Sequence, residues 1–327
     1  MPPDRYDADR YYDPTGTKKN TALSPFGCFA DCVSLFDAPL FNMSPREAER
    51  TDPGQRLLLL TAYEALEMAG YQQDRTPSMH RTRIGTFFGQ SGDDYREGSL
   101  NQRIDPFYVT GGNRAFGPGR LSWYFGWEGP SYSIDTACSS SLTSVQLAVR
   151  AIQTSDCDTA LAGGSNIITN PAWSAGLSRG GFLSPTGGCK TFDEEADGYC
   201  RADGVGTVVL KRLVNAIADN DNILGVIKAA QTNHSAKAPS ITQPHAETQE
   251  HLFREVLSKA CLSPRDIDYV GKSKLPLFRT YPIDESRNTW YRHSSWRYYR
   301  ATCGDKRLWG KAQRTSLYWN SETKRWT

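Results

Sequence analysis

Cys138 is the residue in this chain whose type and setting point most directly to chemistry. It stands in Asp135-Thr136-Ala137-Cys138-Ser139-Ser140-Ser141-Leu142, where a strand-like run, Ser131 to Asp135, gives way to apolar residues at 142, 145, 149 and 152. That spacing is the stripe of an amphipathic helix. A thiol at a helix start lies beside unsatisfied backbone N–H groups and the positive end of the helix dipole. Both favour the thiolate, the nucleophilic form. A sharp strand-to-helix turn also turns the side chain out toward a substrate. A small buried cysteine followed by capping serines fits the same spacing, so the residues alone leave nucleophile and core thiol both open.

Other reactive types are arranged less tellingly. The eight cysteines (28, 32, 138, 157, 189, 200, 261 and 303) form no CxxC pair, and a chain of this length needs no disulfide frame, so free thiols are expected. Cys28 and Cys32 have no second Cys/His pair to complete a zinc site. His234 reads as structural or pocket-lining, His245 and His251 as helix-terminal or surface residues, and His80 as a loop residue; His293 falls in the C-terminal tail. The acidic group Asp193, Glu194, Glu195, Asp197 and Asp203 reads as a solvated loop pairing with Arg201. Gly117-Pro118-Gly119 and Gly204-Val205-Gly206 match neither a dinucleotide loop nor a phosphate loop. No nucleotide, metal or other cofactor is expected.

The elements that must position Cys138 alternate between strand and helix. Asp52-Pro53 before Gln55-Arg56-Leu57-Leu58-Leu59-Leu60 marks a helix start that runs to a stop at Gly70. Arg83 to Gly89, Thr159 to Gly164, Gly206 to Leu210 and Ile223 to Ala230 read as strands. A helix is expected over Ala246 to Ala260 with Leu252, Val256 and Leu257 inward. This order implies an α/β layered fold around a buried sheet.

Several runs carry a resemblance. Gly129-Pro130-Ser131-Tyr132-Ser133-Ile134 through Leu142 resembles the active-site signature of β-ketoacyl synthases, the condensing domains of polyketide and fatty acid synthases. Ser34 to Ala48, Asp52 to Leu59, and Lys190-Thr191-Phe192-Asp193 leading to Gly206 resemble other blocks of that family in the same order. Thr232 to Ala236 with Ser240 to His245 is most similar to fungal non-reducing polyketide synthases. The resemblance covers residues 1 to about 270. It implies a thiolase-type fold, layered αβαβα and dimeric, that performs decarboxylative Claisen condensation. Cys138 would take an acyl group from a phosphopantetheine carrier protein as a thioester, and a carrier-bound malonyl unit would lose CO2 and attack it. The Cys138 N–H would be one oxyanion donor.

The chain departs from that pattern after Val270. The family would continue into a His-Gly-Thr-Gly-Thr block, whereas this chain reads Gly271-Lys272-Ser273-Lys274-Leu275-Pro276. Its start likewise resembles a segment that normally follows a first strand and helix. The expectation is a partial thiolase-type fold, mainly its N-terminal half, over residues 1–270. Residues 271–327 are then a basic, Trp-rich, irregular tail outside the fold. The tail holds 13 Lys and Arg against 4 Asp and Glu, five of the eight Trp, and no Val. Nucleic-acid binding and a small appended domain are weaker readings of it than sequence unrelated to the fold before it.

The family's two decarboxylation histidines fall beyond the break, so little condensing activity is expected from this chain, while loading of Cys138 could survive. The alternative is a non-catalytic fragment that pairs with intact synthase subunits. The longest aliphatic run, Leu57 to Leu60, is far short of the roughly 20 residues of a membrane span. Residues 1 to 6 have no signal-peptide character. A cytosolic protein without membrane partners is therefore expected.

Overall fold

The computed structural model describes residues 5–98, 104–190 and 193–270, together with 319–320 and 325–326. Four strands form one sheet: β1 (Ile84–Gly89), β2 (Ser131–Ile134), β3 (Thr159–Asn166) and β4 (Gly204–Lys211), in the order β2-β1-β3-β4. The first three run parallel, with Phe87 opposite Tyr132 on one side and Ala162 on the other. β4 is antiparallel to β3, pairing Val209 with Leu161. β1 is buried along its whole length, as a central parallel strand covered on both faces must be.

The two faces of the sheet carry different residue sizes. Ile84, Phe88 and Leu161 point to a large-residue core with Leu58, Leu59 and Leu66 of α1 (Pro53–Met68) and Leu121 of α2 (Phe116–Phe125). On the opposite face Phe87, Ala160 and Ala162 pack with Ala148, Ala151 and Ile152 of α3 (Ser140–Gln153). α1 begins as its sequence predicts: the Asp52 carboxylate accepts from the Gly54 N–H at 2.7 Å, with Pro53 in the first turn. It stops at Gly70, whose φ of 65° suits a glycine.

Several expectations are corrected. The apolar stripe of α3 is covered only in part: Leu142 is 73% exposed, Val145 and Val149 are half-buried, and Ile152 is buried together with Ser140, Ser144, Gln146, Ala148 and Ala151. Small side chains prevail where α3 starts, because there it lies close on Gly89, Gly163 and Gly164. Ile223 to Ala230 is not a strand: among the described residues it pairs with none, and Ile223, Leu224, Val226 and Ile227 are exposed. The helix α4 (Ala246–Ala260) forms where expected but buries no residue, so Leu252, Val256 and Leu257 are only half-covered. Arg201 does not pair with the acidic loop. It reaches Asp94, while Asp203 is held by Arg5 at 2.7 Å and Asp197 by Lys190.

Cys32, Cys138, Cys157, Cys189, Cys200 and Cys261 are free thiols as expected, whereas Cys28 is disulfide-bonded. The expectation for 271–327 lies outside the described residues, except for the short antiparallel pair Trp319–Asn320 with Arg325–Trp326. Among the described residues no helix is long and apolar enough to cross a membrane.

Candidate active site

Parallel strands that enter from one side deliver their following loops to the same edge, where open α/β sheets place their sites. Here the loops after Gly89, Ile134 and Asn166 meet at that edge. β2 ends at Ile134, and four residues later the chain is already turning into α3. Thr136 N–H donates to Ser140 Oγ at 2.9 Å, and that hydroxyl donates on to the Ala137 carbonyl at 2.6 Å. Ser139 Oγ donates to the Thr136 carbonyl at 2.9 Å. The serine run therefore holds the turn as well as starting the helix.

The turn is strained at one residue. Ala137 has φ 54°, a left-handed conformation that costs a residue with a Cβ roughly 1–2 kcal/mol. Its N–H donates to Asp135 Oδ1 at 3.0 Å, which offsets part of that cost. The consequence is that Cys138 emerges exposed two residues ahead of Ser140, the first residue of α3. This is the setting a helix-start nucleophile requires, and it is unlike that of a packed core thiol.

Close packing fixes where α3 begins. A Cβ on Gly89 would lie 2.5 Å from the Ser140 carbonyl carbon, and one on Gly164 would lie 2.9 Å from Ser141 Cβ. Ser144 Oγ donates to the Gly163 carbonyl at 2.7 Å, pinning the second turn of the helix to β3. Two glycines at the strand ends and a serine on the helix thus bring the backbone of α3 onto the sheet. The sequence reading did not assign any of the three.

Around this edge the titratable groups are perturbed. Burial is the main reason the Asp52 carboxyl is pushed up, opposed by hydrogen bonds from Gly54 and Gln90. Burial likewise pushes Asp94 up to about 6, with the Arg201 guanidinium opposing it. Tyr199 is raised mainly by burial, and the Cys138 and Cys189 thiols lie within its electrostatic surroundings. Tyr199 therefore lies within electrostatic reach of Cys138, a juxtaposition across the fold that no local pattern could give.

The described histidines lie elsewhere, and His293 falls outside the described residues. His245 caps α4 by accepting from the Thr248 N–H, His251 pairs with Glu255 at 3.4 Å, and His80 caps a short turn at Arg81. His234 is exposed. A small polar cleft at the same sheet edge is lined by Asp52, Gln90, Asp94 and Asn166. An aromatic one near the N-terminus is lined by Tyr6, Tyr12, Phe26, Phe29 and Arg201. Cys138 lines neither cleft.

Comparison with known proteins agrees with this arrangement. Solved ketosynthases share the fold: the oxazolomycin ketosynthase domain OzmH KS7 of Streptomyces albus JA3453 superposes with a TM-score of 0.77 at 37% identity, over 82% of this chain and 47% of that one. The ketosynthase from module 6 of the bacillaene synthase of Bacillus subtilis 168 gives 0.70 at 34% identity, over 82% and 44%. Non-reducing polyketide synthase PKS16 of Cladonia grayi is 62% identical over 270 residues, 83% of this chain and 13% of that protein. Atrochrysone carboxylic acid synthase of Aspergillus fumigatus is 58% identical over 270 residues, 83% of this chain and 15% of that protein. The chain thus spans a small part of the length of these curated relatives. The family profile "Beta-ketoacyl synthase, N-terminal domain" matches residues 1–216 and "Beta-ketoacyl synthase, C-terminal domain" matches 224–273. With its fold, its ordered sequence blocks and both profiles in agreement, this chain belongs to the β-ketoacyl synthase family.

Proposed function

We propose that this chain supplies the acyl-loading half of a ketosynthase of the fungal non-reducing polyketide synthase type, with Cys138 as the acceptor. The observation that carries the reading is an exposed cysteine held on a strained turn at the start of α3, within a chain of this family. In the loading step the Cys138 thiolate attacks the carbonyl of a carrier-bound acyl thioester. The new bond forms to Sγ, and the phosphopantetheine thiolate leaves and takes up a proton. The Cys138 N–H serves the oxyanion. Condensation with malonyl would need further groups to polarise that thioester. Residues 271–276, Gly-Lys-Ser-Lys-Leu-Pro, do not supply the family's His block, so the chain alone is expected to load and not to extend.

The carrier protein and a second ketosynthase copy are the proposed partners. β2 supports the second copy, being an edge strand with Ser131, Tyr132 and Ser133 exposed. A second reading, pairing with an intact synthase subunit, is favoured by the uncovered apolar side chains of Val214, Ile217 and Leu224. It predicts co-purification with a full-length ketosynthase.

The loading reading is tested by incubating the chain with an acyl N-acetylcysteamine thioester and mapping adducts by mass spectrometry. A single acyl addition on the Cys138 peptide, absent from Cys138→Ala, is the expected result. A folded wild-type chain with no adduct rejects it.

A further inference from the structure

The turn that presents Cys138 is strained at Ala137, and its Asp135 brace is itself held by a residue outside the turn. Arg114 lies two residues before α2, in the segment that passes over the ends of β1 and β2. Its Nη1 donates to the Gln90 carbonyl at 3.2 Å and the Ser91 carbonyl at 3.3 Å, and also reaches Asp135 Oδ2. Its Nη2 donates to Asp93 Oδ2 at 2.7 Å. Gln90 N–H in turn donates to the Ile134 carbonyl at 3.1 Å, tying the same two loops through the backbone. One guanidinium therefore joins the loop after β1 to the loop after β2. The planar fork of an arginine suits this, because it satisfies several acceptors in fixed directions at once.

The two oxygens of Asp135 divide the work. Oδ2 faces Arg114, and Oδ1 accepts the Ala137 N–H. With Asp135 fixed, this bond sets the direction of the Thr136–Ala137 peptide, the link that leads into left-handed Ala137 and Cys138. We propose that Arg114 is a positioning residue for Cys138, acting through Asp135 to hold the Thr136–Ala137 peptide, and with it the turn in which Ala137 is left-handed, so that the thiol stays at the start of α3. The inference rests on the reading of Cys138 as the acceptor thiol only for its catalytic meaning; the positioning itself is a statement about the turn.

Glycine takes φ near 54° without the steric cost that a Cβ imposes. The inference therefore makes a prediction that general destabilisation does not: Ala137→Gly should compensate for loss of Arg114. The experiment uses the full chain as wild type, Arg114→Met, Arg114→Lys, Ala137→Gly, and the Arg114→Met/Ala137→Gly double variant. Initial rates of iodoacetamide alkylation at Cys138 are read by peptide mass mapping and normalised to Cys261, an exposed thiol remote in sequence. Circular dichroism melts check that each variant is folded. Arg114→Met should slow Cys138 relative to Cys261 by roughly tenfold, the scale of one strained residue released. Arg114→Lys should fall between, and the double variant should return to within about twofold of Ala137→Gly.

An unchanged rate in folded Arg114→Met overturns the inference, and so does a double variant that stays slow. Should Arg114→Met not fold, Asp135→Asn takes its place, retaining an acceptor for Ala137 while losing the charge that Arg114 grips. It should slow Cys138 in the same direction and be rescued by Ala137→Gly, and absence of either effect is equally fatal. Acyl loading is measured separately. A wild-type chain that alkylates normally but takes no acyl group would refute the proposed function while leaving this inference standing.

Discussion

The two ends of the sheet are built on opposite terms, and α3 joins them. At one end α3 begins beside Cys138, an exposed thiol on a turn with a left-handed alanine. Asp94 opens the short helix Asp94–Gly98 after β1 at the same end, buried, with Oδ1 lacking a hydrogen-bond partner. At the other end, past the last turn of α3, Cys157 is fully buried among Phe87, Ile152 and Ala160, and burial pushes its thiol up to about 11. The charges there are matched: Arg83 grips Asp158 at 2.8 Å and holds its carboxyl below the usual range. One end spends stability on strain and buried charge, and the other accumulates it. Sites commonly show that asymmetry, since strain persists only where the surrounding structure holds it in place.

The contrast can be broken most directly through its two cysteines. Alkylation of Cys138 in the native chain should outpace that of Cys157 by more than about a hundredfold, because the buried thiol reacts only after local opening. Comparable rates, read by peptide mapping, would show that the core end is not closed.

Gly89→Ala comes next. Its Cβ would meet the Ser140 backbone, neither side of which can yield easily, and the expected cost is about 3 kcal/mol in a urea melt. An alanine tolerated at no cost would mean that α3 does not press on β1 there.

Asp94 supplies a pH signature of comparable size or slightly smaller. Its folded pKa of about 6 lies above its unfolded value, so the folded chain binds the extra proton between about pH 4 and 6. Burying the carboxylate costs stability at neutral pH, and that cost is relieved as pH falls through 6. Wild type should therefore gain roughly 2–3 kcal/mol on Asp94→Asn between pH 7 and pH 4. Parallel pH profiles for the two proteins would contradict this. The smallest effect belongs to Leu142, 73% exposed at the first turn of α3. Leu142→Gln should change stability by less than about 0.5 kcal/mol, and a larger loss would place the apolar stripe back inside.

Local signals found most of the elements. The Asp52-Pro53 start and Gly70 stop of α1, the apolar run of β1 and the strand-to-helix turn at Cys138 are decided within a few residues, by capping chemistry, backbone restriction and side-chain type. Those same residues carried the family. Apolar periodicity gave only part of the inner face of α3, Ile152 but not Ser144 or Ala148, whose small size suits the close approach of the sheet and leaves little hydrophobic signal. Ile223 to Ala230 has strand composition, yet a strand is a hydrogen-bonded relation and among the described residues none pairs with it. The pairing of Arg201 with Asp94, 107 residues away, was equally out of reach.

The sequence by itself thus determined where a thiol would meet a helix start, and to which family that junction belongs. Only the tertiary structure decided that the thiol faces outward, that Gly89 and Gly164 set the height of α3, and that Arg114 spans two loops to brace the turn. Caps, turns and runs act over a few residues and leave a local trace. Orientation, close approach and bridging side chains depend on distances between segments far apart in the chain, and only folding creates those distances.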